Sequence, residues 1–220
     1  MKVIVTGATG MVGKGVLLEC LEDERVSEVL SISRRSLELS HPKLRELLHQ
    51  DFSEFESVAD QLHGYAACYA CMGVSSAGMK EAEYTRLTYD FTLALAKVVH
   101  RLNPAMTFTY VSGQGTSSSE SGIMWARVKG KTENDLLQLG FRQAYMFRPG
   151  MILPVKGVSP SSKLYRVVIM NLIWLLKLTK WIAPKAVVNS AQIGQAMLGC
   201  TLHGYPKNII TPADILQLTQ

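Results

Sequence analysis

MKVIVTGATGMVG, residues 1–13, decides how this chain folds. Lys2 to Thr6 is a short apolar run rich in β-branched residues, which predicts a buried strand. Gly7-Ala8-Thr9-Gly10-Met11-Val12-Gly13 follows, and a helical pattern begins at once over Met11–Leu21, with Val12, Val16, Leu17 and Leu21 on one face. Strand, glycine turn and helix in that order form the arrangement that holds a dinucleotide pyrophosphate. Gly7 allows a tight turn, Gly10 lets the backbone approach the phosphates, and Gly13 lets the helix pack close to the strand. The free N–H groups of the first helical turn face the anion. The spacing is GxxGxxG rather than GxGxxG. Its place between an N-terminal strand and a helix is what distinguishes it from a glycine-rich turn with no ligand. Gly7, Thr9, Gly10, Met11, Val12 and Gly13 are therefore the first candidate cofactor-binding residues.

VTGATGMVG, residues 5–13, resembles the start of the short-chain dehydrogenase/reductase superfamily in its extended or atypical branch. The chain looks most like the small bacterial proteins described as NAD-dependent epimerase/dehydratase-like. The resemblance runs to about residue 150 and is weaker beyond. It implies an α/β fold with a doubly wound parallel sheet (a Rossmann fold) and a nicotinamide cofactor, and it does not by itself supply a reaction.

With 220 residues the chain is expected to form one domain, 1–220, with 151–220 as a small helical C-terminal cap region inside it. Apolar residues make up 47% and charged residues 19%, which supplies a large core and argues against disorder. The net charge of +5 is spread without a Lys/Arg run, so no nucleic-acid footprint is expected. A mild positive balance suits a phosphate-rich cofactor equally well. With the cofactor strand at residues 2–6, no signal peptide is expected. Cys68 and Cys71 form a CxxC, but inside the strand pattern YAACYACMG residues three apart face opposite ways. No second CxxC completes a zinc site, so no metal is expected, and Cys20, Cys68, Cys71 and Cys200 read as free buried thiols in a reducing cytoplasm.

Val26–Ser33 and Leu44–Gln50 read as the second and third strands. The end of the second strand chooses the cofactor. NAD-specific folds usually carry Asp or Glu there for the ribose 2′-OH, and this chain has Ser33, Arg34 and Arg35. A guanidinium pairs with a 2′-phosphate, so NADP(H) is expected ahead of NAD(H), with Arg34 and Arg35 as its ligands; the plainer alternative is a pair of solvated charges at a strand end. By the resemblance, Asp51 contacts the adenine amino group and Phe52 contributes backbone beside the ring. Asp51 as a cap for Ser53 onward is an alternative that does not exclude this. Ala66–Cys71 is the fourth strand. The turn after it resembles the family's only at Gly73, which is placed near the nicotinamide ribose. Lys80–His100 reads as one long helix with Tyr84, Leu87, Phe91, Leu95 and Val98 along a packing stripe.

Met106–Val111 is the fifth strand, ending at Ser112-Gly113-Gln114-Gly115, and the following helix carries Trp125-Ala126-Arg127-Val128-Lys129. In the superfamily a Ser closes this strand and a Tyr-x-x-x-Lys lies on the next helix. Ser112 matches the Ser and Lys129 the Lys, and the Tyr position holds Trp125. Residues four apart share a helical face. In the family motif the lysine lowers the phenol's pKa and holds the ribose hydroxyls, while the serine polarises the substrate oxygen. An indole N–H only donates and cannot serve as general acid or base. Ser112 and Lys129 are thus the candidate catalytic residues of an atypical oxidoreductase or epimerase acting on a small carbonyl or hydroxyl substrate. Three readings stay open: another group supplies the proton (Tyr84, Tyr89, Tyr110 or a Ser112-bound water), the chain is a non-catalytic NADP(H)-binding regulator or scaffold, or the active tyrosine lies elsewhere. Phe141–Phe147 is the sixth strand. Its Arg148-Pro149-Gly150 end resembles the turn whose backbone lines the nicotinamide, which adds Pro149 and Gly150 to the cofactor set.

Ile152–Ser162 reads as a loop, short for a substrate lid. Leu164–Ile182 is strongly apolar but interrupted by Arg166, Asn171, Lys177 and Lys180, so a buried or dimer-facing helix is expected rather than a membrane span. Trp174, Trp181 and the nearby lysines leave peripheral membrane contact as the alternative. Ser190–His203 reads as a further helix and Asn208–Ile210 as a last strand.

Overall fold

A computed structural model describes residues 1–156 and 187–220. The segment 164–182, with its dimer and membrane alternatives, lies outside the described residues. No helix among the described residues is long and apolar enough to cross a membrane.

Seven strands form one parallel sheet: β1 (Lys2–Thr6), β2 (Glu28–Ser33), β3 (Leu44–Leu48), β4 (Ala67–Ala70), β5 (Thr107–Val111), β6 (Gln143–Phe147) and β9 (Ile209–Ile210). Their order is β3-β2-β1-β4-β5-β6-β9. The chain starts in the middle, runs out to β3, then returns past β1 to β4 and continues the other way. That reversal opens a crevice above the carboxyl ends of β1 and β4, where ligands bind in open α/β sheets. The doubly wound expectation is met.

Alternation along each strand builds two cores. Val3, Val5, Tyr69 and Phe147 face α1 (Met11–Glu22) and α5 (Ser190–His203). Ile4, Cys68, Phe108, Tyr110 and Met146 face α3 (Phe91–Leu102) and α4 (Met124–Gln138). Cys68 and Cys71 fall in different cores, as period-two alternation requires, and all four cysteines are buried and free. Burial raises the thiol pKa of each, that of Cys71 to about 12. The two helices of the first core meet closely. A Cβ on Gly15 would lie 2.6 Å from that of Ser190, and one on Gly194 would lie 2.9 Å from that of Glu19. Glu19 is buried there and accepts from Lys156 Nζ at 2.5 Å and Gln195 Nε2 at 2.9 Å.

Two expectations are corrected. The helix over Lys80–His100 is α2 (Glu81–Thr85), a π-helical turn over Arg86–Asp90, and then α3. Side-chain periodicity is nearly blind to one wide turn. The stretch from Ile152 is not wholly loop: β7 (Met151–Leu153) pairs in parallel with β8 (Val187–Asn189). Three residues cannot show an alternation, and the partner strand is 36 residues away in sequence. The C-terminal helices are α5, with a capping box from Asn189 to Gln192, and α6 (Pro212–Gln217), with another from Thr211 to Asp214.

Candidate cofactor and active site

The glycine turn is held by backbone packing. Gly7 has φ +71°, and a Cβ there would lie 2.5 Å from the Cys71 carbonyl oxygen at the end of β4. A Cβ on Gly13 would lie 2.5 Å from the Gly7 carbonyl carbon and 2.8 Å from Ala8 N. Gly10 is different: a Cβ there would approach only the Gly7 oxygen, at 3.3 Å, so the turn is open on that side. Gly10 is also the N-cap of α1; it brings no side-chain cap, and no acidic residue occupies the first turn. The helix N-terminus is thus left for an external anion, and these residues fit a pyrophosphate.

Beside the turn lies a cleft of about 360 Å³ lined by Ala8, Thr9, Lys14 and Leu17 on one side and Arg35 to Leu39 on the other. Arg34 and Arg35 are both exposed, but only Arg35 lines the cleft. The Arg34 carbonyl accepts from Gln50 Nε2 at 2.8 Å. Asp51 is exposed, and its Oδ1 accepts from Ser53 Oγ at 2.5 Å and Ser53 N at 2.9 Å, which hold its pKa below the usual carboxylate value. This is a local Asp–Ser turn and not a helix cap, since the next helical turn, Glu56–Gln61, starts from Phe55 with no side-chain cap; the Asp51 carboxylate still faces solvent. Phe52 is buried against Phe55, so only its backbone could approach an adenine. Gly73 is exposed with nothing within 4 Å of a Cβ, so packing does not require glycine there. A larger cavity, about 570 Å³, lies at the opposite end of the sheet beside Asn103, Arg142 and His203, and contains none of the motif residues.

At the ends of β5 and β6 the structure brings Ser112 and Lys129 together, but not through the serine hydroxyl. Lys129 Nζ donates to the Ser112 carbonyl. Ser112 Oγ is buried, donates to Glu133 Oε1 at 2.5 Å, and lies 3.1 Å from the Phe147 carbonyl. Glu133, one turn beyond Lys129 and fully buried, also accepts from Arg148 Nε at 3.0 and 3.2 Å and from Arg148 Nη2. Arg148 Nη2 reaches on to Ser118 Oγ at 2.6 Å. The Gln114 amide donates to the Pro149 carbonyl at 3.0 Å, so the β5 and β6 ends form one unit with Pro149 buried and Gly150 partly exposed. Glu133 did not stand out in sequence, and Arg148 did so only as the residue that opens the Pro149-Gly150 turn. Their signal was the coincidence of an acid one turn after Lys129 with the arginine that closes β6.

Trp125 is half-buried over Gly115, whose Cβ would meet the indole at 3.1 Å. Tyr84 and Tyr110 are buried, and burial raises both phenol pKa values. Tyr89 donates to Asp135 Oδ2 at 2.5 Å, and that bond raises its pKa. Burial lowers the Lys129 ammonium to about 8, with Glu133 opposing the shift. Among the described residues no cluster of His, Cys, Asp or Glu could hold a metal.

The sequence model of the NAD dependent epimerase/dehydratase family matches residues 3–126, more than half of the chain. The chain belongs to that family. Rat HTATIP2 is 27% identical over 153 residues, covering 69% of this chain and 62% of the rat protein. FMP52-1 of Scheffersomyces stipitis, described as mitochondrial, is 25% identical over 161 residues, covering 72% of this chain and 70% of the yeast protein. Among solved structures, the enzyme WbmF of Bordetella bronchiseptica in complex with NAD+ superposes with a TM-score of 0.70 at 13% identity, covering 98% of this chain and 76% of its own. The UDP-N-acetylglucosamine 4-epimerase of Methanobrevibacter ruminantium superposes with a TM-score of 0.71 at 16% identity, covering 96% and 75%. At that identity the two share the fold with this family member.

Proposed function

We propose that this family member binds NADP(H) and reduces or oxidises a small carbonyl or hydroxyl substrate, with Lys129 carrying the proton. The observation that supports it most is the uncapped α1 N-terminus opening onto the cleft that Arg35 lines. Gly7, Thr9, Gly10, Met11, Val12 and Gly13 hold the pyrophosphate. Arg35, the one of the Arg34–Arg35 pair that lines the cleft, meets the 2′-phosphate, Asp51 and the Phe52 backbone meet the adenine, and Gly73, Pro149 and Gly150 line the nicotinamide side. When bound, the nicotinamide supplies or accepts the hydride. Lys129 holds the ribose hydroxyls and, with its pKa near 8, gives its proton to the substrate oxygen and regains one from water. Trp125 cannot do this, and the Ser112 hydroxyl is already committed to Glu133. The four free thiols favour a reducing compartment, the cytoplasm, and no nucleic-acid partner is proposed.

Those same two facts about Trp125 and Ser112 favour a second reading, a non-catalytic NADP(H)-binding regulator or scaffold. Following NADPH absorbance against a panel of short aldehydes and ketones separates the two. The enzyme reading expects turnover that Lys129→Met lowers by roughly a hundredfold or more. Turnover unchanged by Lys129→Met refutes the role of Lys129. No turnover in the native chain, with turnover created by Trp125→Tyr, establishes the regulator reading.

A further inference from the structure

Resting on the NADP(H) reading, we infer that Lys14 is a cofactor-discriminating residue that joins Arg35 on the 2′-phosphate, against an opposing carboxylate, Glu38. Three observations carry this. Lys14 follows the last glycine of the turn and lies in the first turn of α1. A cation there meets the positive end of the helix dipole and is disfavoured unless an anion sits nearby. No carboxylate serves: neither Lys14 nor Arg35 has an ion-pair partner among the described residues, and the first turn of α1 has no acid.

The second observation is position. Lys14 from α1 and Arg35 from the β2 loop line the same cleft from its two sides. The third is that the loop is fixed. Glu46 of β3 accepts from Ser36 Oγ at 3.0 Å and from the Leu37 amide at 2.8 Å. Glu38 follows with φ +52°, a left-handed conformation that few non-glycine residues adopt, and its N–H donates to Ser36 Oγ at 3.2 Å. Glu38 also lines the cleft. A carboxylate repels a phosphate and accepts from a ribose hydroxyl. Two cations thus favour the phosphorylated ribose and one anion tempers them.

The test uses fragments and needs no turnover. Adenosine 2′,5′-bisphosphate and 5′-AMP are titrated calorimetrically into the native chain, Lys14→Ala, Lys14→Arg and Glu38→Gln. The expected result is a native preference for the bisphosphate that Lys14→Ala lowers by roughly tenfold and Lys14→Arg retains. Binding of 5′-AMP is unchanged in both Lys14 variants and weakened in Glu38→Gln, which loses the charged acceptor for the ribose hydroxyl, while Glu38→Gln binds the bisphosphate more tightly than the native chain. If Lys14→Ala weakens both ligands equally, or neither, Lys14 is not the discriminating residue, while a native preference for the bisphosphate leaves the NADP(H) reading standing. If the native chain binds both ligands alike, the NADP(H) reading falls and this inference with it.

Discussion

Glu133→Ala is the substitution whose outcome the structure specifies most fully. Glu133 is fully buried and joins three elements: its own helix, the Ser112 hydroxyl at the end of β5, and the Arg148 guanidinium at the end of β6. Removing one partner of a buried ion pair costs about 3–5 kcal/mol, because the other charge is stranded. Arg148 keeps 18% side-chain exposure and its bond to Ser118, so the lower half of that range applies. Ser112 Oγ retains the Phe147 carbonyl at 3.1 Å, which limits its share to about 1 kcal/mol. The loss is therefore about 4–5 kcal/mol, a large part of the 5–15 kcal/mol typical of folded domains. In a chain of this size it lowers the melting temperature by roughly 10 °C, measured by calorimetry or circular dichroism. Glu133→Gln keeps the acceptor for Ser112 and loses only the charge, so it falls between. A Glu133→Ala protein melting within about 2 °C of the native one would refute this account of the β5–β6 unit.

Gly13→Ala pushes a methyl into the backbone of Gly7 and Ala8, which cannot move as a side-chain tip can, and is expected to destabilise by about 1–3 kcal/mol in urea unfolding; Gly73→Ala, in open space, is expected to be neutral. Burial lowers Lys129 from 10.5 to about 8 in the folded chain, so the unfolded chain binds more protons between those values and stability rises with pH across that window. Lys129→Met removes the rise, and melting curves from pH 7 to 10 check it. Asp214 is buried. Its burial raises its pKa, but Lys207, Thr211 and Tyr205 outweigh that and hold it well below the ordinary carboxylate value. Its stabilisation is present above about pH 4 and lost as pH falls further, so Asp214→Asn lowers the melting temperature at pH 7 and not in strong acid.

The glycine turn was legible in sequence because each glycine answers a separate steric demand, and the backbone meets those demands at Gly7 and Gly13. Strands β1, β2, β4, β5 and β6 were legible because most of their residues are buried on both faces and apolar or β-branched residues dominate their sequences. The π turn at Arg86–Asp90 and the β7–β8 pair were not, since one changes the helical repeat only locally and the other is three residues long. At the site, register alone located Ser112 and Lys129 correctly as neighbours. It could not show which way a hydroxyl points: Ser112 turns to Glu133, a residue marked by no motif. Lys14 and Glu38 escaped notice for a related reason. Each is an ordinary surface charge until the fold sets the α1 turn against the β2 loop.

The central claim is that the first helix turn and the β2 loop form an NADP(H) site. Calorimetric titration of the native chain with NADPH and with NADH tests it most directly. The account predicts binding at least tenfold tighter for NADPH, about 1.4 kcal/mol, with the difference abolished in Arg35→Ala. Equal affinity for the two cofactors, or no binding of either, would contradict it.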